Sequence, residues 1–260
     1  MLYAAIPASA THYGFIADGL GAHSSRTIML AELRLLLATC APNTDYEGYV
    51  EAILVDNVLL KRTDATRRES VRRLRELYGL ANEVVVFRAL KDLWLDEPDA
   101  QPMLALLCAL ARDPVLRATA PLVLEATTGE VVTPSSISSA VAKSFPAKLN
   151  ATTLANIGRN AASSWTQSGH LHGRTNKVRV AARSHPASTT YALFLGYLCG
   201  GRGEALFQTA WSRMLDTSLE SLHEQAFSAS QRGWLEYRHA GAVTEVGFSH
   251  LLRKEAGTDE

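Results

Sequence analysis

LLKRTDATRRESVRRLRELYG, residues 59–79, is the stretch of sequence on which our prediction of the fold rests. At 100° per residue, Val71, Leu74 and Tyr78 fall on one stripe of a helix. Such a stripe is the face by which an amphipathic helix packs on a core. The pattern therefore predicts a long helix with one buried face.

A second stripe of the same helix carries arginines. Arg68, Arg72 and Arg75 are spaced i, i+4 and i+7, beside the apolar face. A helix with these two faces fits the second helix of a helix-turn-helix unit over residues 44–79. The planar guanidinium group binds phosphates and guanine edges through two parallel hydrogen bonds, so this face is typical of a nucleic-acid contact.

An ordinary solvated helix face is the alternative. Residues 61–75 hold seven Lys or Arg but only two acids, and one more acid follows at Glu76. Because so few carboxylates are available to pair with these cations, we favour a polyanionic partner. The DNA-contacting residues predicted here are Lys61, Arg62, Arg67, Arg68, Arg72 and Arg75.

Charge is strongly segregated along the rest of the chain. The formal net charge is zero, from 26 Lys and Arg and 26 Asp and Glu. Residues 131–203 nevertheless contain eight Lys or Arg and no acid. Clustered cations repel one another, and a polyanion offsets that repulsion most simply. The alternative is a Ser-, Ala- and Thr-rich stretch that merely lacks acids.

Within this acid-free stretch, GHLHGRTNKVRVAARSHP (residues 169–186) has Gly, Asn and Pro punctuation and one short β-like run. It predicts a basic loop or ribbon that is mobile in the free protein and contacts phosphates without reading bases. Its His170 and His172 form a His-x-His pair, but we favour a loop over a metal site because acids and cysteines are absent nearby. The predicted DNA contacts are Arg174, Lys177, Arg179 and Arg183.

Helix signals dominate the remaining sequence. Capping residues and first-turn prolines predict helix starts near Ser25, Thr44, Thr63 or Asp64, Asn82, Pro98, Pro114, Thr133, Asn150, Ser188, Glu204 and Thr217. Gly79 is placed to end the arginine helix, because glycine readily adopts the left-handed backbone of a C-cap. We predict a mainly α protein of two helical domains, residues 1–130 and 131–260, each with a helix-turn-helix-like unit.

The C-terminal unit, residues 217–252, is predicted to be winged. A capped helix is followed by WLEYRHAGAVTEVGF (residues 234–248), in which two runs with alternating apolar residues surround Gly241. This pattern indicates a short β-hairpin, the wing, with predicted DNA contacts at Arg232 and Arg238. Since the region is net acidic, a protein contact is the alternative.

Several classes of protein are disfavoured by composition. The longest apolar run has nine residues, against about 20 for a membrane span, and the start does not resemble a signal peptide. Cys40, Cys108 and Cys199 lie singly in apolar runs, as expected of buried thiols in a reduced compartment. We therefore expect a cytoplasmic protein without a membrane partner.

Catalytic signals are weak. The sequence contains no Gly-x-Ser-x-Gly elbow, no Walker loop and no dinucleotide fingerprint. The acid-free stretch also lacks any carboxylate for acid–base chemistry or for holding Mg²⁺. We expect a protein that is not an enzyme and has no cofactor and no metal.

Three phrases of the sequence resemble one family. YGFIADGLGAHSSRTIMLAEL (residues 13–33), DNVLLKRTDATRR (residues 56–68) and the terminal GWLE (residues 233–236) are similar to the BREX phage-exclusion protein A family, over nearly the full length. The resemblance implies an all-helical cytosolic protein with two helix-turn-helix-like modules. It also implies binding of double-stranded DNA, without known catalysis, as part of a defence complex with other phage-defence subunits.

The sequence thus predicts a non-catalytic DNA-binding component of a bacterial phage-defence system. An RNA-binding protein is one alternative, although few exposed aromatic residues accompany the basic zones. A scaffold subunit that docks acidic faces of its partners is the other.

Overall fold

The computed structural model of the protein describes residues 6–146, 149–241 and 243–253. These residues are mainly helical, which confirms the predicted class, with two short two-stranded sheets. The α-helices are α1 (Leu30–Thr39), α2 (Tyr46–Leu54), α3 (Asp64–Tyr78), α4 (Val85–Trp94), α5 (Gln101–Arg112), α6 (Pro114–Arg117), α7 (Ala120–Glu125), α8 (Pro134–Ser144), α9 (Ala151–Gln167), α10 (Pro186–Leu198), α11 (Ala210–Arg213), α12 (Leu219–Gln231) and α13 (Ser249–Leu252). Segments of 3₁₀ helix are Ala8–Tyr13, Ala22–Ser24, Pro98–Ala100 and Gly203–Gln208. The strands are β1 (Leu171–His172), β2 (Val178–Arg179), β3 (Glu236–Ala240) and β4 (Val243–Gly247).

Helix α5 lies at the centre of the fold. Every residue from Met103 to Ala111 is buried, and these residues are the longest apolar run of the sequence. A helix that is apolar on all sides requires neighbours on all sides. It packs against α3, α4, α9 and α10, so the arginine helix is attached directly to the core. Within the described residues, no helix is both long and apolar enough to cross a bilayer.

The arginine helix α3 has the predicted boundaries. Thr63 caps its N-terminus by accepting a hydrogen bond from the Thr66 amide, and Gly79 ends it with φ of 95°. A Cβ atom at Gly79 would also lie 2.8 Å from the Val84 side chain, so glycine is required there twice over. Leu74 and Tyr78 are fully buried, as the apolar stripe predicts.

Helix α1 begins at Leu30, after Met29, and not near Ser25 as predicted. Two other helix starts differ by one residue from the prediction. Asp45, rather than Thr44, caps α2, with Oδ1 accepting the Gly48 amide at 2.9 Å. Ser218, rather than Thr217, caps α12. Both sites hold adjacent capping residues, so the path of the chain into the helix decides which side chain accepts the first-turn amide.

The C-terminal hairpin forms as the sequence indicates. Strands β3 and β4 are antiparallel, and Tyr237 pairs with Val246. The hairpin packs on α12 through β3 and on Gly203–Gln208 through β4. The assignment of this unit as a winged helix stays a prediction.

The core of the described residues is one large hydrophobic cluster that contains residues from Ile6 to Leu251. A small second cluster consists of Val115, Val141 and Ile157, with partly buried apolar residues around it. It joins α6, α8 and α9. The large cluster contains residues of both predicted domains, and their division at residue 130 stays a prediction.

The basic segment 169–186 contains a short β-ribbon, one of the two forms that its sequence predicts. Strands β1 and β2 form a short ribbon, and Val131 bridges to Val178 on its other side. The Arg179 amide donates to the Glu130 carbonyl at 2.8 Å, which adds to this pairing. The backbone hydrogen bonds of β2 are therefore shared between two neighbouring segments, and that sharing holds it in place.

Candidate nucleic-acid interface

The predicted arginine row lies on the solvent-facing side of α3. Arg68, Arg72 and Arg75 are all exposed. Arg68 Nε lies 2.7 Å from Asp64 Oδ2, and the Arg75 guanidinium lies 4.6 Å from the centre of the Tyr46 ring. One contact within α3 and one contact between α3 and α2 thus position two side chains of the row.

Glu69 is shared between two arginines of this helix. Arg72 and Arg73 both donate to it, at 2.7 and 2.8 Å. Burial raises the pKa of Glu69, but the hydrogen bonds from Arg73 and Arg72 outweigh burial and hold the pKa below its ordinary value. Arg73 also pairs with Glu76 at 2.8 Å, so Glu69 and Glu76 are both shared with an arginine outside the exposed row.

Two of the predicted contacts, Lys61 and Arg67, also make contacts within the protein. Lys61 Nζ lies 2.8 Å from Glu32 Oε1 and ties the start of α3 to α1. The Arg67 guanidinium donates to the Leu54 carbonyl at 2.6 Å, at the C-terminal end of α2. A cation there satisfies carbonyls that the helix leaves unpaired. Arg62 is exposed beside the row.

The connection between α2 and α3 exposes two apolar side chains that sequence reasoning missed. Val55 is 70% exposed and Leu60 is 79% exposed. Asn57 and Leu60 have φ of 52° and 54°, and the Asn57 side chain accepts the Lys61 amide at 2.8 Å. This tight turn directs Leu60 into solvent next to Arg62. The pattern of the sequence carries no signal for it, because leucine rarely adopts positive φ.

The basic ribbon divides into buried and exposed cations. Arg174 and Arg183 are exposed, whereas Lys177 and Arg179 are buried, so the predicted DNA contacts at the latter two are corrected. Lys177 Nζ donates to Thr166 at 2.8 Å, and burial lowers its pKa. The Lys177 side chain, just before β2, therefore anchors the ribbon to α9.

Arg179 has a counter-charge that the linear sequence hides. Its guanidinium lies 2.8 Å from Asp216 Oδ1, and Asp216 Oδ2 accepts the Ala182 amide at 2.8 Å. Burial raises the pKa of Asp216, but the hydrogen bonds from Arg179 and from the Ala182 amide outweigh burial and hold the pKa below its ordinary value. The carboxylate therefore stays ionised. The acid-free stretch is thus neutralised in part by a residue beyond its end.

Each of the predicted DNA contacts in the C-terminal unit, Arg232 and Arg238, has an acidic residue nearby. Arg232 lies 3.0 Å from Glu97 and stacks over Trp234 at 4.8 Å. Arg238 is exposed on β3, directly across from Glu245 on β4. Of all the predicted cations, the structure brings four exposed ones together at α3 and its preceding turn: Arg62, Arg68, Arg72 and Arg75.

The comparisons with known proteins name no family. No model of a known protein family matches the chain. A search of curated proteins finds no match either. The resemblance to the BREX phage-exclusion protein A family stays a prediction from the quoted residues.

Ser164, His23 and Asp113 form a buried chain of hydrogen bonds. His23 Nδ1 lies 2.7 Å from Asp113 Oδ2, and His23 Nε2 lies 2.9 Å from Ser164 Oγ. This order of groups is that of a hydrolase triad. All three side chains are buried, however, and Ser164 Oγ also accepts the Ile28 amide at 2.9 Å. The Ser164 hydroxyl therefore links separate segments of the chain, and the three residues form a structural hydrogen-bond network within the core.

Asp113 is the central acceptor of this hydrogen-bond network. Burial raises its pKa, but the neighbouring His23 and several amide hydrogen bonds outweigh burial and hold the pKa below its ordinary value. The signal in the sequence was partial: Asp113 before Pro114 predicts a helix cap, which the structure confirms. Its partners lie too far along the chain for any local pattern to reveal them.

The His-x-His pair is split between two environments. His170 is buried against Trp165, with Nε2 donating to the Met214 carbonyl at 2.9 Å. His172 is exposed, because successive residues of a strand face opposite sides. A different set of side chains, Glu204, His223 and His239, places three ligand atoms within 4.8 Å of one another.

Burial of His170 makes a pH-dependent prediction. Burial lowers its pKa from 6.5 to about 4. Between these values the unfolded chain binds a proton that the folded protein does not, so stability falls as pH falls from 6.5 towards 4. The loss attributable to this one group reaches roughly 3 kcal/mol. Urea denaturation of the parent and of His170→Gln across this range measures it. Parallel pH profiles of the two proteins would contradict it.

Proposed function

We propose that this chain is a non-catalytic protein that binds double-stranded DNA through the outer face of α3. The observation that carries the proposal is the exposed row of Arg68, Arg72 and Arg75 on a helix whose adjacent face is buried in the core. At 1.5 Å per residue the row extends about 10 Å, comparable to the width of the DNA major groove. Arg62 extends the positive face beyond the N-terminus of the helix.

The ion pairs of this face do not oppose DNA binding. Arg68 and Arg72 are themselves exposed, and ion pairs made by exposed side chains contribute little to stability. Exchange of a carboxylate for a phosphate releases condensed counterions from the DNA, which favours the exchange. The face therefore stays positive and available to a polyanion.

We further propose that the protein works in a bacterial BREX-type phage-defence system, in the cytoplasm, together with other defence subunits. This part rests on the resemblance of residues 13–33 and 56–68. A DNA-binding subunit suits such a system because it brings partner proteins to DNA.

The proposal is tested by changing Arg68, Arg72 and Arg75 together to alanine. We expect duplex affinity to fall and the slope of log K against log salt to shrink by up to about 0.9 for each phosphate that the protein no longer neutralises. Thermal stability should stay near that of the parent, because exposed charges add little to folding. Fluorescence anisotropy with a random-sequence duplex at several salt concentrations measures both the affinity and the slope.

A matched control removes three exposed cations that are not among the predicted DNA contacts: Lys143, Arg159 and Arg213, each changed to alanine. Its change in net charge is the same, so a general electrostatic effect would lower affinity equally in both variants. An α3 variant that binds like the parent overturns the proposal. Preferential loss of single-stranded RNA binding would favour the RNA alternative instead.

The scaffold alternative is favoured by one observation, the exposure of Val55 and Leu60 beside Arg62. A mixed apolar and basic surface is typical of protein contacts. Purified defence subunits separate the two functions. If they bind the parent but not the α3 variant, while neither protein binds DNA, the face is a docking surface.

A further inference from the structure

Three potential metal ligands converge near the C-terminal hairpin, away from α3. Glu204 lies in the 3₁₀ segment Gly203–Gln208, His223 lies in the middle of α12, and His239 lies on β3. One ligand atom from each falls within 4.8 Å of the other two, and His223 Nε2 lies 3.3 Å from Glu204 Oε1. Three separate elements of the fold thus contribute one ligand each.

Hydrogen bonds to neighbouring residues determine which ring nitrogen of each histidine is unprotonated and can bind a metal. Thr244 Oγ1 donates its only hydrogen to Glu204 Oε2 at 2.6 Å. Its oxygen lies 2.8 Å from His239 Nδ1 and must therefore accept from that nitrogen. The proton of neutral His239 is then on Nδ1, and the lone pair of Nε2 is available as a ligand.

His223 has the same kind of support. Tyr237 Oη lies 2.8 Å from His223 Nδ1, and a phenol both donates and accepts. In one tautomer His223 Nε2 donates to Glu204 Oε1 at 3.3 Å. In the other the proton is on Nδ1 and is donated to Tyr237, and a metal bound between Nε2 and Glu204 takes the place of the hydrogen bond to Glu204. Histidine ligands of metals usually carry such a hydrogen bond on the second nitrogen, which fixes tautomer and orientation.

Ring packing fixes the orientation of the histidines further. Phe207 stacks on the His223 ring with centroids 4.1 Å apart and planes 21° apart. The His223 and His239 rings lie 5.0 Å apart. Ligands held in this way lose little side-chain entropy when a metal binds.

We propose that Glu204, His223 and His239 bind a divalent transition-metal ion such as Zn²⁺. Two imidazoles and one carboxylate are ligands that this class of ion prefers. Tetrahedral zinc with bonds of about 2.1 Å places its ligands about 3.4 Å apart, close to the observed separation of Glu204 and His223. His239, which is exposed on the hairpin, supplies the third ligand.

Bound metal joins the hairpin to the helical body. Its ligands would come from β3, from α12 and from the segment before α11, with remaining positions open to water. The site would then stabilise the hairpin against the helices, and it would do so whether or not α3 binds DNA. Failure of one proposal leaves the other intact.

Metal binding is tested on the full chain after treatment with a chelator. Zn²⁺ titration in competition with a chromophoric chelator gives the affinity, and Co²⁺ added to the same protein gives visible d–d absorption bands if imidazole ligands bind it. We expect His239→Ala to abolish both signals. Thr244→Val removes only the supporting hydroxyl and should weaken Zn²⁺ binding about 10- to 100-fold.

His172→Ala is the matched control, since His172 is an exposed histidine on a different hairpin. It should bind Zn²⁺ like the parent. Thermal melts without metal show that the variants are folded, and Zn²⁺ should raise the melting temperature of the parent and of His172→Ala but not that of His239→Ala. Absence of Zn²⁺ binding by the parent, or equal binding by His239→Ala, overturns the proposal.

Discussion

Replacing Asp113 by alanine should destabilise the protein by about 3–5 kcal/mol, because it removes a buried carboxylate that accepts several hydrogen bonds. Asp113 Oδ2 accepts from the Ala22 and His23 amides and from His23 Nδ1. Asp113 Oδ1 accepts from the Val115 and Leu116 amides, both at 3.0 Å. Alanine leaves all of these buried donors without an acceptor, and each unpaired donor is costly.

The matched control for this prediction is Asp45→Ala. Asp45 is also a helix cap, at the start of α2, but it is exposed and accepts one amide. Loss of such a cap costs typically about 1 kcal/mol. Urea denaturation of both variants compares the free energies of unfolding. If Asp113→Ala loses no more than Asp45→Ala, the buried network contributes nothing beyond an ordinary cap.

Leu74→Asp should abolish the cooperative folding transition. Leu74 is fully buried where α3 packs on α5. Loss of its side chain alone costs about 2–5 kcal/mol, and an unpaired buried carboxylate adds a further penalty. The sum approaches the total stability of a typical domain, about 5–15 kcal/mol. Because the large core cluster is continuous through α3 and α5, we expect the loss to extend beyond the N-terminal helices.

Near- and far-ultraviolet circular dichroism during thermal melting measures this effect. Arg72→Asp introduces the same residue two positions earlier on the exposed face, so it controls for helix propensity and added charge. It should melt close to the parent. A Leu74→Asp protein with the parent's melting curve would show that this face of α3 is not packed on the core.

Local patterns predicted the elements of the fold well. The two stripes of α3 follow from a repeat of 3.6 residues, and each is set by side chains within two helical turns. The hairpin β3–β4 follows in the same way from alternation around a glycine. Capping positions were harder where Thr44 and Asp45 compete, because the choice depends on the direction of the incoming chain.

Long-range polar contacts were not predictable from the sequence. The Arg179–Asp216 pair joins residues 37 positions apart, and Ser164 lies 141 positions from His23. Neither separation leaves a periodic trace, because only the packed fold brings these groups together. The same holds for Glu204, His223 and His239, which come from three separate elements. Counting charges along the chain therefore overestimated the free cations of the basic segment.

The small cluster of Val115, Val141 and Ile157 has a consequence for local opening. The C-terminal half of α8 rests on these few side chains, whereas α5 is enclosed within the large cluster. Detaching that half exposes little apolar surface, so the free energy of opening there is a fraction of the global value. Amide hydrogens near Ser144 should then exchange with solvent through a local opening, whereas those of α5 should exchange only when the whole protein unfolds. We therefore expect hydrogen exchange to show two cooperative units, with the C-terminal half of α8 less protected than α5.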